Sequence, residues 1–131
     1  MNGKDQEQGG KASLTFDDIL MEMNQKGGFA RSVLATSEGL TIASAPDSPD
    51  NELASAMVAL LQQVGAETQD YLGMTPVDEV TIRTEDHVHL VCRRINSGND
   101  WLTLCVLVPA GKPYRRVTNI ALRKIQSVID G

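Results

Sequence analysis

Along this chain the spacing of apolar residues changes period several times, and each change marks an element. Phe16, Ile19, Leu20 and Met23 recur at helical spacing. Thr15 and Asp18 in front of them form the kind of pair that caps a helix start, and Gly27-Gly28 ends the run. Phe29 to Thr36 is small, apolar and extended in character. Ser37-Glu38-Gly39 is a turn and Leu40 to Ala45 a return strand, so the segment reads as a β-hairpin. Pro46 and Pro49 keep the next stretch irregular. Asp50 or Asn51 can then cap a helix that runs to about Leu72 and stops at Gly73. Its Leu53, Met57, Leu60, Leu61, Val64, Thr68 and Tyr71 fall in one sector, which is predicted to lie against a sheet.

Beyond Pro76 the period drops to two. Val77 to Thr84 alternates, with Val80 and Ile82 on one face and Glu79, Thr81 and Arg83 on the other. His87 to Ile95 follows, then a turn around Ser97-Gly98-Asn99, then Asp100 to Val108. That last strand is apolar on both faces: Leu102, Leu104, Val106 and Val108 on one, Trp101, Cys105 and Leu107 on the other. Such a strand belongs in the middle of a sheet covered on both sides. Pro113 suits a first helical turn, and Val117, Ala121, Ile125 and Val128 make one stripe of a final helix to about Ile129. The order is α-β-β-α-β-β-β-α, with two helices expected on one face of the sheet and the middle helix on the other.

Charge and composition narrow the function. The chain has 131 residues, a net charge of −5 and 4% aromatic residues. Phosphate contacts need a basic footprint and stacked bases need rings, so nucleic acid is excluded as the main partner. No stretch has the roughly 20 apolar residues of a membrane span, and none of the N-terminus resembles a secretory signal. Residues 1–13 read as a disordered tail and 14–131 as one domain. With two cysteines and no export signal, the expected location is cytoplasmic.

The residues that suggest chemistry do not assemble a catalytic site. His87 and His89 share a strand face, but Cys92 points to the other, so no metal is expected. Cys92 and Cys105 come opposite each other if Gly98-Asn99 is a two-residue turn; they are expected to be small core residues, with a bridge sterically open. Asp17-Asp18 and Asp78-Glu79 are sequence neighbours whose side chains diverge, and no nucleophile motif occurs. Lys112, Arg115 and Arg116 form a basic turn that could dock an anion or an acidic partner. No catalytic residue and no cofactor are expected.

Two surfaces invite another protein instead. The middle helix carries Ser55, Ala59, Gln62, Ala66 and Gln69 on the sector opposite its apolar one, small or uncharged where a solvated helix usually bears charge. The strand Val77 to Thr84, polar on one face, is the natural sheet edge, and an unpaired edge of that length is a liability that pairing across a two-fold axis resolves. The expected dimer interface is Val80, Ile82, Thr84, Ser55, Ala59, Gln62 and Ala66.

The segment from Gly28 to Ser44, GFARSVLATSEGLTIAS, resembles the opening of a Roadblock domain: a Gly after the first helix, a small-and-apolar strand, and a turn ending in Gly-Leu before an apolar-Ala-Ser strand. Asp50 to Met57 resembles the start of that family's Ala-rich second helix. The family includes dynein light chains and bacterial MglB-like proteins. The resemblance implies an α+β, profilin-like fold with a five-stranded antiparallel sheet between helices, extended to ten strands in a homodimer. It further implies a non-catalytic regulator of a small Ras-like GTPase, of the activator or effector type seen in bacterial cell polarity. The GTPase would contact Glu52, Ser55, Ala59, Gln62, Gln63, Ala66 and Gln69. Two other readings stay open: a scaffold subunit with no effect on GTP hydrolysis, and a small-ligand sensor.

Overall fold

A computed structural model describes residues 14–47 and 51–131; the side chains of residues 51–55 and 57 fall outside that description, as do the tail expected at 1–13 and the cap expected at Asp50. The elements follow in chain order: α1 (Phe16–Gly27), β1 (Arg31–Thr36), β2 (Thr41–Ala45), α2 (Asn51–Leu72), β3 (Glu79–Arg83), β4 (His89–Ser97), β5 (Asp100–Val108) and α3 (Arg115–Asp130). This is the α+β order read from the sequence. All strand pairs are antiparallel, and the sheet order is β2-β1-β5-β4-β3.

The central place of β5 follows from its composition. Leu104, Val106 and Val108 point into a core shared with Ile19, Leu20 and Met23 of α1 and Ala121 and Ile125 of α3. Cys105, on the other face, joins Val33, Ala35 and Cys92 beneath Val58 and Leu61 of α2. Two helices therefore cover one face and α2 alone covers the other.

Local chemistry sets the element ends. The Thr15 hydroxyl accepts from the Asp18 N–H, and the Asp18 carboxylate accepts from the Thr15 N–H, closing the capping box. Gly28 follows at φ 71°, a conformation that suits glycine. On the far side, α3 begins at Arg115 behind Tyr114, so Pro113 lies just outside the helix and not in its first turn. The second strand of the β3–β4 pair also begins later than its composition suggests. His87 sits at φ 69° in a turn in which its N–H donates to Thr84 O.

The face of α2 differs from expectation. Val58 and Leu61 are buried and Gly65 and Thr68 half-buried, whereas Leu60, Val64 and Tyr71 point away from the sheet. Two apolar arcs run along this helix, and the arc with Gly65 wins because Val77 packs close to it: a Cβ placed on Gly65 lies 3.7 Å from Val77 Cβ. That is an ordinary contact distance. Gly65→Ala is therefore expected to raise stability by roughly 0.5–1 kcal/mol through helix propensity, read as a higher urea midpoint at unchanged slope.

Helices α1 and α3 are tied at their surface by Glu22, which takes Lys124 at 2.6 Å and Lys26 at 3.1 Å. The hydrogen bond from Lys124, then that from Lys26, holds the Glu22 carboxyl below its ordinary value. The folded state thus keeps the carboxylate ionised at lower pH than the unfolded chain does. Its contribution is complete above the ordinary glutamate range and fades as pH falls through the depressed value. Glu22→Gln is expected to flatten the acid limb of a stability–pH profile measured by urea unfolding and to leave the neutral limb's slope unchanged.

Candidate interaction surface

The edge strand β3 pairs with β4 over five consecutive residues, from Glu79 opposite Arg93 to Arg83 opposite His89, without a bulge. Arg94 N–H donates to Asp78 O at 2.8 Å and Thr84 N–H to Val88 O at 2.9 Å. In an antiparallel ladder those bonds assign the even-numbered residues to β4. The N–H and C=O groups of Glu79, Thr81 and Arg83 consequently point outward along the open edge. The opposite edge is different: between Leu34 and Ala35 the pairing jumps from Ala43 to Thr41, a bulge that blunts β2 as a template.

Side chains lock β3 in place. Glu79 bridges Arg93 at 3.5 Å and Arg115 at 3.3 Å, and Arg93 donates to the Thr118 hydroxyl at 3.0 Å and to Asn119. The Glu79 and Arg93 side chains are both largely buried, so this is a charge network linking the edge to the start of α3. It also absorbs Arg115 of the basic turn, while Lys112 packs over Gly28.

Of the expected dimer residues, Val80 packs on the core under α2 and Ile82 is 43% exposed beside it on the same strand face. Thr84 is not in the strand. Its hydroxyl accepts from Val88 N–H and donates to Asp86, closing the β3–β4 turn. Ala59, Gln63, Ala66 and Gln69 are exposed, whereas Gln62 turns inward, with its Nε2 3.5 Å from Thr36 O. The side chains of Glu52 and Ser55 lie outside the described residues.

A cleft of about 130 Å³ opens between α2 and the β3–β4 side of the sheet. Gln62, Ala66 and Gln69 form one wall and Val77, Val80 and Trp101 the other. Arg94 stacks over the Trp101 ring at 4.8 Å from its centroid. Nothing in the linear pattern announces this cleft, although the alternation places Trp101 on the correct face of β5. It exists because α2 leans toward β1 and β2 and leaves β3 and β4 open.

Cys92 and Cys105 stand opposite each other, as the two-residue Gly98-Asn99 turn requires, and are joined as a disulfide. The expectation of two thiols is thereby corrected. They occupy a non-hydrogen-bonded pair, where side chains come closest, with Cα atoms 4.2 Å apart. Each is also a buried core residue. Among the described residues no group of three or more His, Cys, Asp or Glu side chains could hold a metal ion. His87 has left the strand that would have aligned it with His89.

Residues 15–98, more than half of the chain, match the family profile of the Roadblock/LC7 domain. The chain belongs to the Roadblock/LC7 family. Solved Roadblock structures share its fold: a Roadblock/LC7 domain from Streptomyces avermitilis superimposes with a TM-score of 0.70 at 16% identity, covering 88% of this chain and 98% of that one. The gliding protein MglB from Thermus thermophilus gives 0.67 at 17% identity, covering 88% of each chain. MglB from Myxococcus xanthus gives 0.69 at 11%, covering 88% and 94%. No curated protein matches in sequence. Among the described residues no helix is long and apolar enough to cross a membrane.

As the chain's single tryptophan, Trp101 reports on the cleft of this Roadblock domain. Arg94→Ala removes the cation from its face, and the emission of Trp101 is expected to shift to longer wavelength as water enters. An unchanged spectrum would mean that the guanidinium does not shield the ring.

Proposed function

We propose that this Roadblock domain forms a homodimer by pairing β3 with the same strand of a second copy, and that the dimer regulates a small Ras-like GTPase held on its α2 side. The observation that carries the dimer is the regular outer edge of β3. Its outward N–H and C=O groups at 79, 81 and 83 are in register for self-pairing, and Ile82 offers an apolar contact next to them. The joined sheet would have ten strands. The Ala59, Gln62, Ala66 and Gln69 flank of α2 and the cleft beneath it would then lie along the seam.

The regulatory role rests on family membership and on neighbours named MglB, one of them described in a tetrameric arrangement, with a TM-score of 0.64 at 20% identity. The chain's own chemistry limits how it could act. Helix α2 has no arginine to insert into a nucleotide site, and Arg94 is engaged with Trp101. Stimulation of GTP hydrolysis would come from holding the GTPase's own switch segments in a productive arrangement, a shift of population. A ligand sensor is less well supported, because the cleft is smaller than the roughly 300–1,000 Å³ of ordinary ligand pockets.

Thr81→Pro separates dimer from fold. It removes an outward N–H and no ladder bond within the chain, and proline is tolerated at such an edge position. The variant is expected to keep its circular dichroism spectrum and to halve its mass in light scattering. A wild-type-like mass would exclude the β3 seam. For the partner, GTP turnover by a candidate GTPase is expected to rise with wild-type protein and to stay basal with Thr81→Pro. Tight binding with unchanged turnover would make the protein a scaffold instead.

A further inference from the structure

Helix α2 has another apolar line, on the flank that neither the sheet nor the cleft uses. Leu60, Val64 and Tyr71 are 58%, 46% and 82% exposed. At about 100° per residue they fall within an arc of roughly 40°, beside Leu61 and turned away from buried Val58 and from the Ala59, Ala66 and Gln69 flank. The line is about 17 Å long at 1.5 Å per residue, and exposed Met74 follows just beyond the helix end. Isolated surface apolar residues are ordinary, but these three share one helix flank, with Glu67 on the same arc between Val64 and Tyr71.

The surrounding charge says what could cover it. α2 contains Glu52, Glu67 and Asp70 and no Lys or Arg; the nearest basic residues along the chain are Arg31 and Arg83. Among the described residues, Glu67 accepts a hydrogen bond from neutral Gln63, and neither it nor Asp70 is paired with a cation. A second copy laid on this row would bring only further acids toward Glu67 and Asp70, since α2 has no base to offset them. An anionic lipid surface or nucleic acid would meet the same repulsion. The row is narrow and straight and runs along about half of α2, the shape that an amphipathic helix covers by laying its apolar face alongside.

We infer that this flank docks an amphipathic helix of another protein whose apolar face is bordered by Lys or Arg. Leu60, Val64 and Tyr71 receive the apolar side chains, and Glu67 and Asp70 pair with the cations. The site lies on each protomer by itself and is separate from the β3 edge, so a dimer offers it twice. It does not depend on the partner of the seam being a GTPase.

The test uses the full chain and a fluorescein-labelled synthetic helix of leucine and lysine, with a scrambled peptide of the same composition as control, followed by anisotropy. The amphipathic peptide is expected to bind at least tenfold more tightly than the scrambled one. Leu60→Gln/Val64→Gln should lose at least tenfold in affinity. Glu67→Lys/Asp70→Lys should also weaken binding and flatten its dependence on salt. Circular dichroism and light scattering on each variant check fold and mass. Equal binding of the scrambled peptide, or undiminished affinity in Leu60→Gln/Val64→Gln, would overturn the inference. A change of mass in that double variant would overturn it too, by making the row a self-contact. None of these readouts involves GTP, so failure here and failure of the GTPase reading are seen in different measurements.

Discussion

Everything in this fold hangs on the burial of β5. A strand with large apolar side chains on both faces cannot lie at an edge or face water, so it must be flanked by strands and covered above and below. Once β1 and β4 flank it, β2 and β3 become the outer strands, and the three helices have only two faces to occupy. The cover is unequal. α1 and α3 together close one face with Ile19, Leu20, Met23, Ala121 and Ile125, while α2 alone presses Val58 and Leu61 onto the other.

That inequality creates the features available for function. One helix cannot span five strands, so the α2 side of β3 and β4 stays open, and the cleft beside Trp101 results. The two edges differ just as usefully: β2 is bulged and β3 regular. The Glu79, Arg93 and Arg115 network fixes β3 to the body of the domain, so its outward peptide groups are held in place by side chains on the other side of the sheet. A rigid open edge needs less ordering to pair than a loose one does.

Most of the architecture is legible in the residues themselves. The period-two alternation locates β3 and β5, the Thr15/Asp18 pair locates the start of α1, and the two-residue turn correctly sets Cys92 opposite Cys105. The departures have specific causes. Val77 and Thr84 have strand-like neighbours, but Pro76 and the turn bond between Thr84 and Val88 end the ladder at Glu79 and Arg83. The inward side of α2 differs from expectation because the helix has two apolar arcs sharing Leu61, and periodicity alone cannot rank them. The pairing of the two sulfurs also lies beyond the pattern, since opposite cysteines can be either thiols or a bridge.

Which positions are apolar, where the period shifts, and that helix α2 bears acids without bases are properties of the linear chain, because they depend only on residue identity and spacing. Which arc of α2 faces inward, which edge is left regular, and how the Arg93 guanidinium reaches α3 were decided by packing. They depend on close contacts between distant segments, such as Val77 against Gly65, which local spacing does not encode.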